Sequence, residues 1–481
     1  MPHVNLPGGV QLYYEQHGAA DPSLASLSLS ESAAPPASQP PVSSAKPSML
    51  LLAPSFLNST YLEPYVEAFK DGFDVTTLEL RSIGRSRNAG SATYDYWVAA
   101  ADIASTMEAL HLPPSHVFGA GCLAFQAALK LALLFPDQVL SLSLVGAPTL
   151  FAPPRALTAF QEITEAWVRP SDEEDWVDVT GGIGEFLLGE KKWDNADDDW
   201  DRVIGTVARR YSPYSAQQIF TVTSPNQRDP GLTPELVATI RQPILFIQGD
   251  NDLCFGLDEV EEQSRRFTGA RELEFHAIAG GPHLLAVTHT PEVIAFMQPF
   301  LSRHTPAPLP ALTPIDSLTA LKYAASLAKD PKIALRNPHH PESFSLLPAD
   351  EKAAIAKHLA EMVEIERTCE FDLPMCFQRQ DWEAPKLKDG EEERRWTWST
   401  REDHFLPSSP VSYSRSSISN GTSRPLSMFS LQDSVSVLVE SSEQTSRSAL
   451  PAGTAGSGSA DGLSGQIKAV EGSVSAAAAA H

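Results

Sequence analysis

The segment "HVFGAGCLAFQAALKLALLFPDQVLSLSLVGAP", residues 116–148, decides how the chain is read. An apolar, β-prone run enters it and a helix-like run leaves it. Pro136 stops that helix, and a second apolar strand follows in "VLSLSLV". Small residues crowd the corner between strand and helix. A strand that turns at once into a helix must reverse in one residue. That residue is strained, and its side chain projects from the C-terminal edge of the sheet. Bulk two residues to either side would clash, so the pattern required is small–x–corner–x–small. Ala120-Gly121-Cys122-Leu123-Ala124 meets it with Cys122 at the corner, which also sets Ala128 and Ala132 one turn apart toward the sheet. With Gly121 at the corner, Leu123 would occupy a small position, for which it is too large. Cys122 is therefore the expected corner residue, either as a nucleophile or as a small hydrophobe that merely packs.

Outward from this corner the pattern repeats. "VNLPGGVQLYYEQHG" reads as a hairpin around Pro7-Gly8-Gly9. "MLLLAP", "FDVTTLEL", "PILFIQGDND" and "RELEFHAIAG" read as strands. "TYLEPYVEAFKDG", "DYWVAAADIASTMEALHL", "LDEVEEQSRRF" and "PEVIAFMQPFL" read as helices between or after them. Alternating strands and helices with continuous apolar strands predict an α/β fold with a mostly parallel, doubly wound sheet, buried on both faces. The core is expected at 1–18, 48–149 and 241–303. Residues 19–47 are rich in Ser, Ala and Pro and are expected to be a flexible insert. Residues 150–240 carry Trp167, Trp176, Trp193 and Trp200 among acidic runs, with no clear strand, and are expected to form a helical cap. Those tryptophans form the cap's own core or line an apolar pocket. A helical extension is expected at 304–384, with helices near 315–329 and 348–368, and a disordered tail at 385–481.

The chain has 481 residues, 42% of them hydrophobic, and a formal net charge of −24. That charge argues against nucleic acid and anionic membrane surfaces as partners. Four scattered cysteines make no disulfide framework and no zinc site, since no CxxC pair occurs. No secretory signal is recognisable, and no apolar run approaches the roughly 20 residues that span a bilayer. A reduced, cytoplasmic location follows as an expectation. Neither GxxxxGK[ST] nor GxGxxG after a strand is present, and no ligand group accompanies His339-His340. No cofactor and no metal are expected.

Taken together, these segments resemble the α/β-hydrolase superfamily. "ELRSIGRS" is similar to its D-x-R-G-x-G-x-S turn, with Glu79 for the Asp and Ser82 for the first Gly. "IQGDND" resembles the G-x-x-D that supplies the acid, here Asp252. "IAGGPHLLAVTHTPEV" resembles the segment that carries the histidine, here His283. The order nucleophile, acid, histidine matches, and one helix, one strand and two loops separate the last two. A cysteine at the elbow also occurs in dienelactone hydrolase-like members, which this chain is similar to only in nucleophile type.

The resemblance implies a Cys122-His283-Asp252 triad acting on an ester, thioester or lactone, by hydrolysis or acyl transfer. It implies oxyanion donors from Leu123 and from Ser55 or Phe56, although Ala53-Pro54 stand where His-Gly is usual. The helix N-terminus and an imidazolium would lower the thiol pKa below about 8.5. Asp250 is expected to cap its turn, and His289 and Cys254 to be structural. The competing reading is a catalytically inactive relative that binds a small apolar ligand or a partner protein. Ala53-Pro54, Glu79 and Ser82 favour it.

Overall fold

A computed structural model describes residues 2–18, 46–148, 150–151, 154–171, 173–189 and 198–368. The insert expected at 19–47 lies outside these residues but for its last two positions. Trp193, the end of the extension from 369 and the expected tail lie outside them too.

Strands β1 (His3–Leu6) and β2 (Val10–His17) form the hairpin around Gly8 and Gly9. Then come β3 (Ser48–Leu52), α1 (Glu63–Phe69), β4 (Asp74–Leu78), α2 (Tyr96–Ala109), β5 (Ser115–Ala120), α3 (Gly121–Leu134) and β6 (Val139–Val145). Helices α4 (Pro154–Val168), α5 (Glu173–Leu188), α6 (Asp198–Arg210), α7 (Ala216–Arg228) and α8 (Pro234–Val237) separate β6 from β7 (Ile244–Gly249). Helix α9 (Leu257–Ser264), β8 (Leu273–Ile278), α10 (Leu285–Thr288) and α11 (Thr290–His304) complete the core. Helices α12 (Ser317–Leu327) and α13 (Ala349–Thr368) follow it.

The eight strands form one sheet in the order β1-β2-β4-β3-β5-β6-β7-β8. The β1–β2 and β2–β4 pairings are antiparallel, and all others are parallel. Every residue of β3, β5 and β7 is buried. Successive side chains in a strand point to opposite faces, so both faces of the central sheet are covered. This is why those strands read as unbroken apolar runs.

All fourteen residues of α3 are buried, Lys130 among them. Its Nζ bonds Asp229 Oδ2 at 2.8 Å and Gln126 Oε1 at 2.9 Å, which satisfies an otherwise costly buried charge. The segment between β6 and β7 buries Trp167, Trp176 and Trp200, with Trp200 against Gly184 of the same segment and Trp167 between its Tyr211 and Phe56 of the loop after β3. Its Tyr211 hydroxyl donates to the Ser82 carbonyl at 2.8 Å, and Arg210 Nε to that of Gly84 at 3.0 Å.

The C-terminal helices are tied to the core by side chains that sequence patterning does not single out. Arg81 pairs twice with Asp102, at 2.7 and 2.9 Å, and reaches Glu342 at 3.2 Å. Asp95 caps α2 by accepting the Val98 N–H at 2.9 Å. Its other oxygen accepts the Leu346 N–H at 2.9 Å and the Ser345 hydroxyl at 3.1 Å. Burial pushes the Asp95 carboxyl up to about 6. A carboxyl raised in this way favours folding in its protonated form. Its contribution is full below the unfolded value near 3.9 and is lost as pH rises through about 6. Asp95→Asn removes the charge but sets an NH2 where Oδ2 accepts from Ser345 and Leu346, so we expect it to be less stable than the wild-type chain near pH of about 4. Between pH of about 4 and about 8 that deficit should shrink by on the order of 1–3 kcal/mol, because the wild-type chain alone loses the contribution of the protonated carboxyl. Denaturation curves at the two pH values measure this.

Candidate active site

The corner between β5 and α3 is at Gly121, one residue before the position expected from sequence. Ala120 is still extended, with φ −118° and ψ 133°, and Gly121 takes φ +70°. A side chain in that left-handed region costs roughly 1–2 kcal/mol, which glycine does not incur. Cys122 is an ordinary residue of the first helical turn. Leu123 does not clash as expected: it is 1% exposed and finds space in the core. The tight approach is instead at Gly119, where a Cβ would lie 2.8 Å from the Ala124 carbonyl oxygen. At Gly121 a Cβ would have room, 3.8 Å from His283 Nε2 and 4.0 Å from Ser55 Oγ.

Beyond β7, Asp252 is held by hydrogen bonds on both oxygens. Its Oδ1 accepts from the N–H groups of Cys254 at 2.9 Å and Phe255 at 3.0 Å. Its Oδ2 accepts from Gln248 Nε2 at 3.0 Å and lies 2.8 Å from His283 Nδ1. With an ionised carboxylate on Nδ1, that nitrogen carries the hydrogen and Nε2 is the acceptor. Nε2 lies 3.8 Å from Cys122 Sγ. Cys122, His283 and Asp252 therefore meet, although Cys122 reaches the histidine from one residue beyond the corner.

Asp250 accepts the Gly280 N–H at 2.6 Å and holds the turn, and His289 pairs with Thr288 Oγ1 at 2.8 Å. Gly146 was missed by the sequence reading: its Cβ would lie 2.2 Å from the His283 carbonyl oxygen, so the histidine loop rests on bare backbone. The only signal for it was a glycine directly after an apolar strand.

The loop after β3 carries its own strain. Phe56 has φ +67°, and its ring packs on Trp167 and Tyr211, with centroids at 5.4 and 5.5 Å. The Leu123 N–H donates to Ser55 Oγ at 3.3 Å. In the neighbouring turn Glu79 serves where a shorter acid is usual. It accepts the Ser59 N–H at 2.8 Å and the Arg85 N–H, while Ser82 adopts φ +60° where glycine is usual.

Helix α5 closes the site. Phe186 stacks on the His283 ring with centroids 4.7 Å apart, and the Leu284 N–H donates to the Leu187 carbonyl at 2.8 Å. Cys122, Asp252 and His283 are 5%, 8% and 3% exposed. Beside Cys122 a cavity of about 20 Å³ is walled by Tyr96, Gln126, Asn226, Asp229, Phe160 and Phe255. That is room for about one water.

Burial pushes the Cys122 thiol well up, with Cys254 and Asp252 adding to it. The expected lowering by the helix N-terminus and an imidazolium is therefore reversed. Among the described residues, Glu272, Glu274 and His304 come close enough to share a cation. Arg303 Nη2, 3.4 Å from Glu272 and bonded to Glu274, already supplies the positive charge there.

The family model of the alpha/beta hydrolase fold matches residues 49–290, and the chain belongs to that family. A hydrolase from Pseudomonas aeruginosa PA01 is similar at 18% identity and a TM-score of 0.50, over 62% of this chain and 97% of its own. A thermophilic esterase from Thermogutta terrifontis is similar at 17% identity and a TM-score of 0.50, over 63% of this chain and 100% of its own. At such identities the likeness is one of fold. No curated protein matches the chain. No helix among the described residues is long and apolar enough to cross a membrane.

The two glycines of the corner separate by mutation. Gly119→Ala should cost about 2–3 kcal/mol, because backbone must move. Gly121→Ala should cost about 1–2 kcal/mol, from backbone strain alone. Chemical denaturation of the two variants measures the difference.

Proposed function

We propose that the chain hydrolyses an ester or lactone with Cys122 as nucleophile, His283 as base and Asp252 as its orienting acid. The observation that carries this is the unbroken line from Cys122 Sγ through His283 Nε2 and Nδ1 to Asp252 Oδ2, at 3.8 and 2.8 Å. The thiol is neutral at rest, so it reacts as a serine would. His283 takes the Sγ proton as the S–C bond forms, then returns it to the departing alkoxide as the C–O bond breaks. Water, deprotonated by the same imidazole, then cleaves the thioester and regenerates the thiol. The oxyanion is met by the N–H of Cys122 itself and by the N–H of Ser55 or Phe56. Leu123, the donor expected from sequence, is engaged with Ser55 Oγ. The Ser55 hydroxyl keeps its own proton to donate.

Hydrolysis of p-nitrophenyl acetate and a panel of small lactones tests this. Cys122→Ala and His283→Ala should each lower kcat/KM by about 10³-fold or more. An unchanged rate in Cys122→Ala overturns the role of Cys122. Iodoacetamide labelling of Cys122 across pH should give an apparent pKa above the ordinary thiol value of about 8.5, in keeping with its burial.

A second reading, a catalytically silent relative that binds a small apolar ligand or a partner protein, is favoured by Gly121. The fold aims the corner side chain at the histidine, and here the corner has none. Under this reading the wild-type chain turns over no acyl compound. Gly121→Ser, whose Cβ would lie 3.8 Å from His283 Nε2, then gains ester hydrolysis. Activity in the wild-type chain that is lost in Cys122→Ala excludes it.

A further inference from the structure

Helix α13 belongs to neither the sheet nor the segment that covers the site, yet it joins the two. Just before it, the chain is pinned to the core. Glu342 meets Arg81 at 3.2 Å, Ser345 and Leu346 donate to Asp95 at 3.1 and 2.9 Å, and Phe344 packs on Phe135 with centroids 5.8 Å apart. The helix then runs along the cap. Arg228 Nε lies 3.5 Å from Glu351, and His358 stacks on Phe220 at 5.8 Å. Arg169 meets Glu361 at 3.2 Å. Gln217 gives both its backbone N–H and its Nε2 to Glu366, at 2.8 and 2.6 Å. Near Gln217, Leu359 also lies against Gly90 of the core, where a Cβ would be 2.6 Å from its Cδ2.

The attachment is of a kind that can come off. Of the 20 residues of α13, Ile355 and Met362 are buried. Leu359 and Ile365 are only partly buried, and the ion pairs of Arg169 and Arg228 with Glu361 and Glu351 lie at the rim, each worth about 1 kcal/mol or less. The cap, by contrast, must move for the site to work. His283 lies under Phe186, Cys122 is 5% exposed, and the adjoining cavity of about 20 Å³, walled in part by Phe160, holds no acyl compound.

We infer that α13 is a strap: anchored on the core at 341–346, it holds the cap down over Cys122 and His283, and its release admits the substrate. The inference rests on Cys122 and His283 being the reactive site. It is tested without turnover, so the two can fail separately. The rate of Cys122 alkylation by iodoacetamide, followed by mass spectrometry in the full-length chain, reports cap opening. Two variants loosen the strap from opposite sides: Glu361→Lys with Glu366→Lys on α13, and Gln217→Glu on the cap, which sets like charges together. Each should speed labelling at least tenfold with an unchanged far-ultraviolet spectrum. Gln217→Lys, which adds an attraction to Glu366, should slow it. Labelling at the wild-type rate in all three overturns the strap. Faster labelling in a chain that hydrolyses no ester upholds the strap and removes the proposed activity.

Discussion

Strand β5 and helix α3 approach each other so closely that Gly119 has no space for a methyl group against Ala124. The chain can make that approach only by reversing within one residue, and Gly121 supplies the left-handed turn. Everything at the site takes its position from this corner. It aims the first turn of α3 at the end of the sheet and puts Cys122 Sγ beside the imidazole. It also leaves the Leu123 N–H to reach across to Ser55. The histidine loop obeys a similar rule, lying on Gly146 with no side chain between. Cys122 and His283 thus converge through backbone contacts, which have little freedom to drift.

Electrostatics at the same place is decided by desolvation. A helix N-terminus offers an anion typically 0.3–1 kcal/mol, and about 2 kcal/mol in favourable buried geometry. Full burial of an ionisable group shifts its pKa by as much as 3–5 units, equivalent to roughly 4–7 kcal/mol. At Cys122 burial outweighs the helix terminus, and the thiol stays protonated. The charges that do survive burial nearby are paired: Lys130 with Asp229, Arg81 with Asp102, Arg85 with Glu79. These pairs offset their own desolvation, whereas the sulfur stays neutral.

The fold was legible because periodicity and continuous burial leave strong marks. Unbroken apolar strands named a sheet covered on both faces, and Pro136 marked the end of α3. Asp252 and His283 were legible from the turns that carry them, Gly-Asp-Asn-Asp and Gly-Gly-Pro-His. The corner was misplaced by one residue because side-chain volume was weighed and the sign of φ was not. Leu123 was judged too large for a position whose side chain in fact points into the core, while the glycine beside the cysteine was the sole residue free to turn left. The clamps at Asp95 and Arg81 were illegible. Their partners, Leu346 and Glu342, are far along the chain, and a single Asp before a helix reads only as a cap.

Phe56 carries a further consequence. An aromatic residue in the left-handed region stores on the order of 1–3 kcal/mol, held in place by rings from the cap, Trp167 and Tyr211. The covering segment is thus more than a shield. Its rings hold the loop after β3 in a conformation that the loop alone disfavours, so packing of the covering segment offsets that strain.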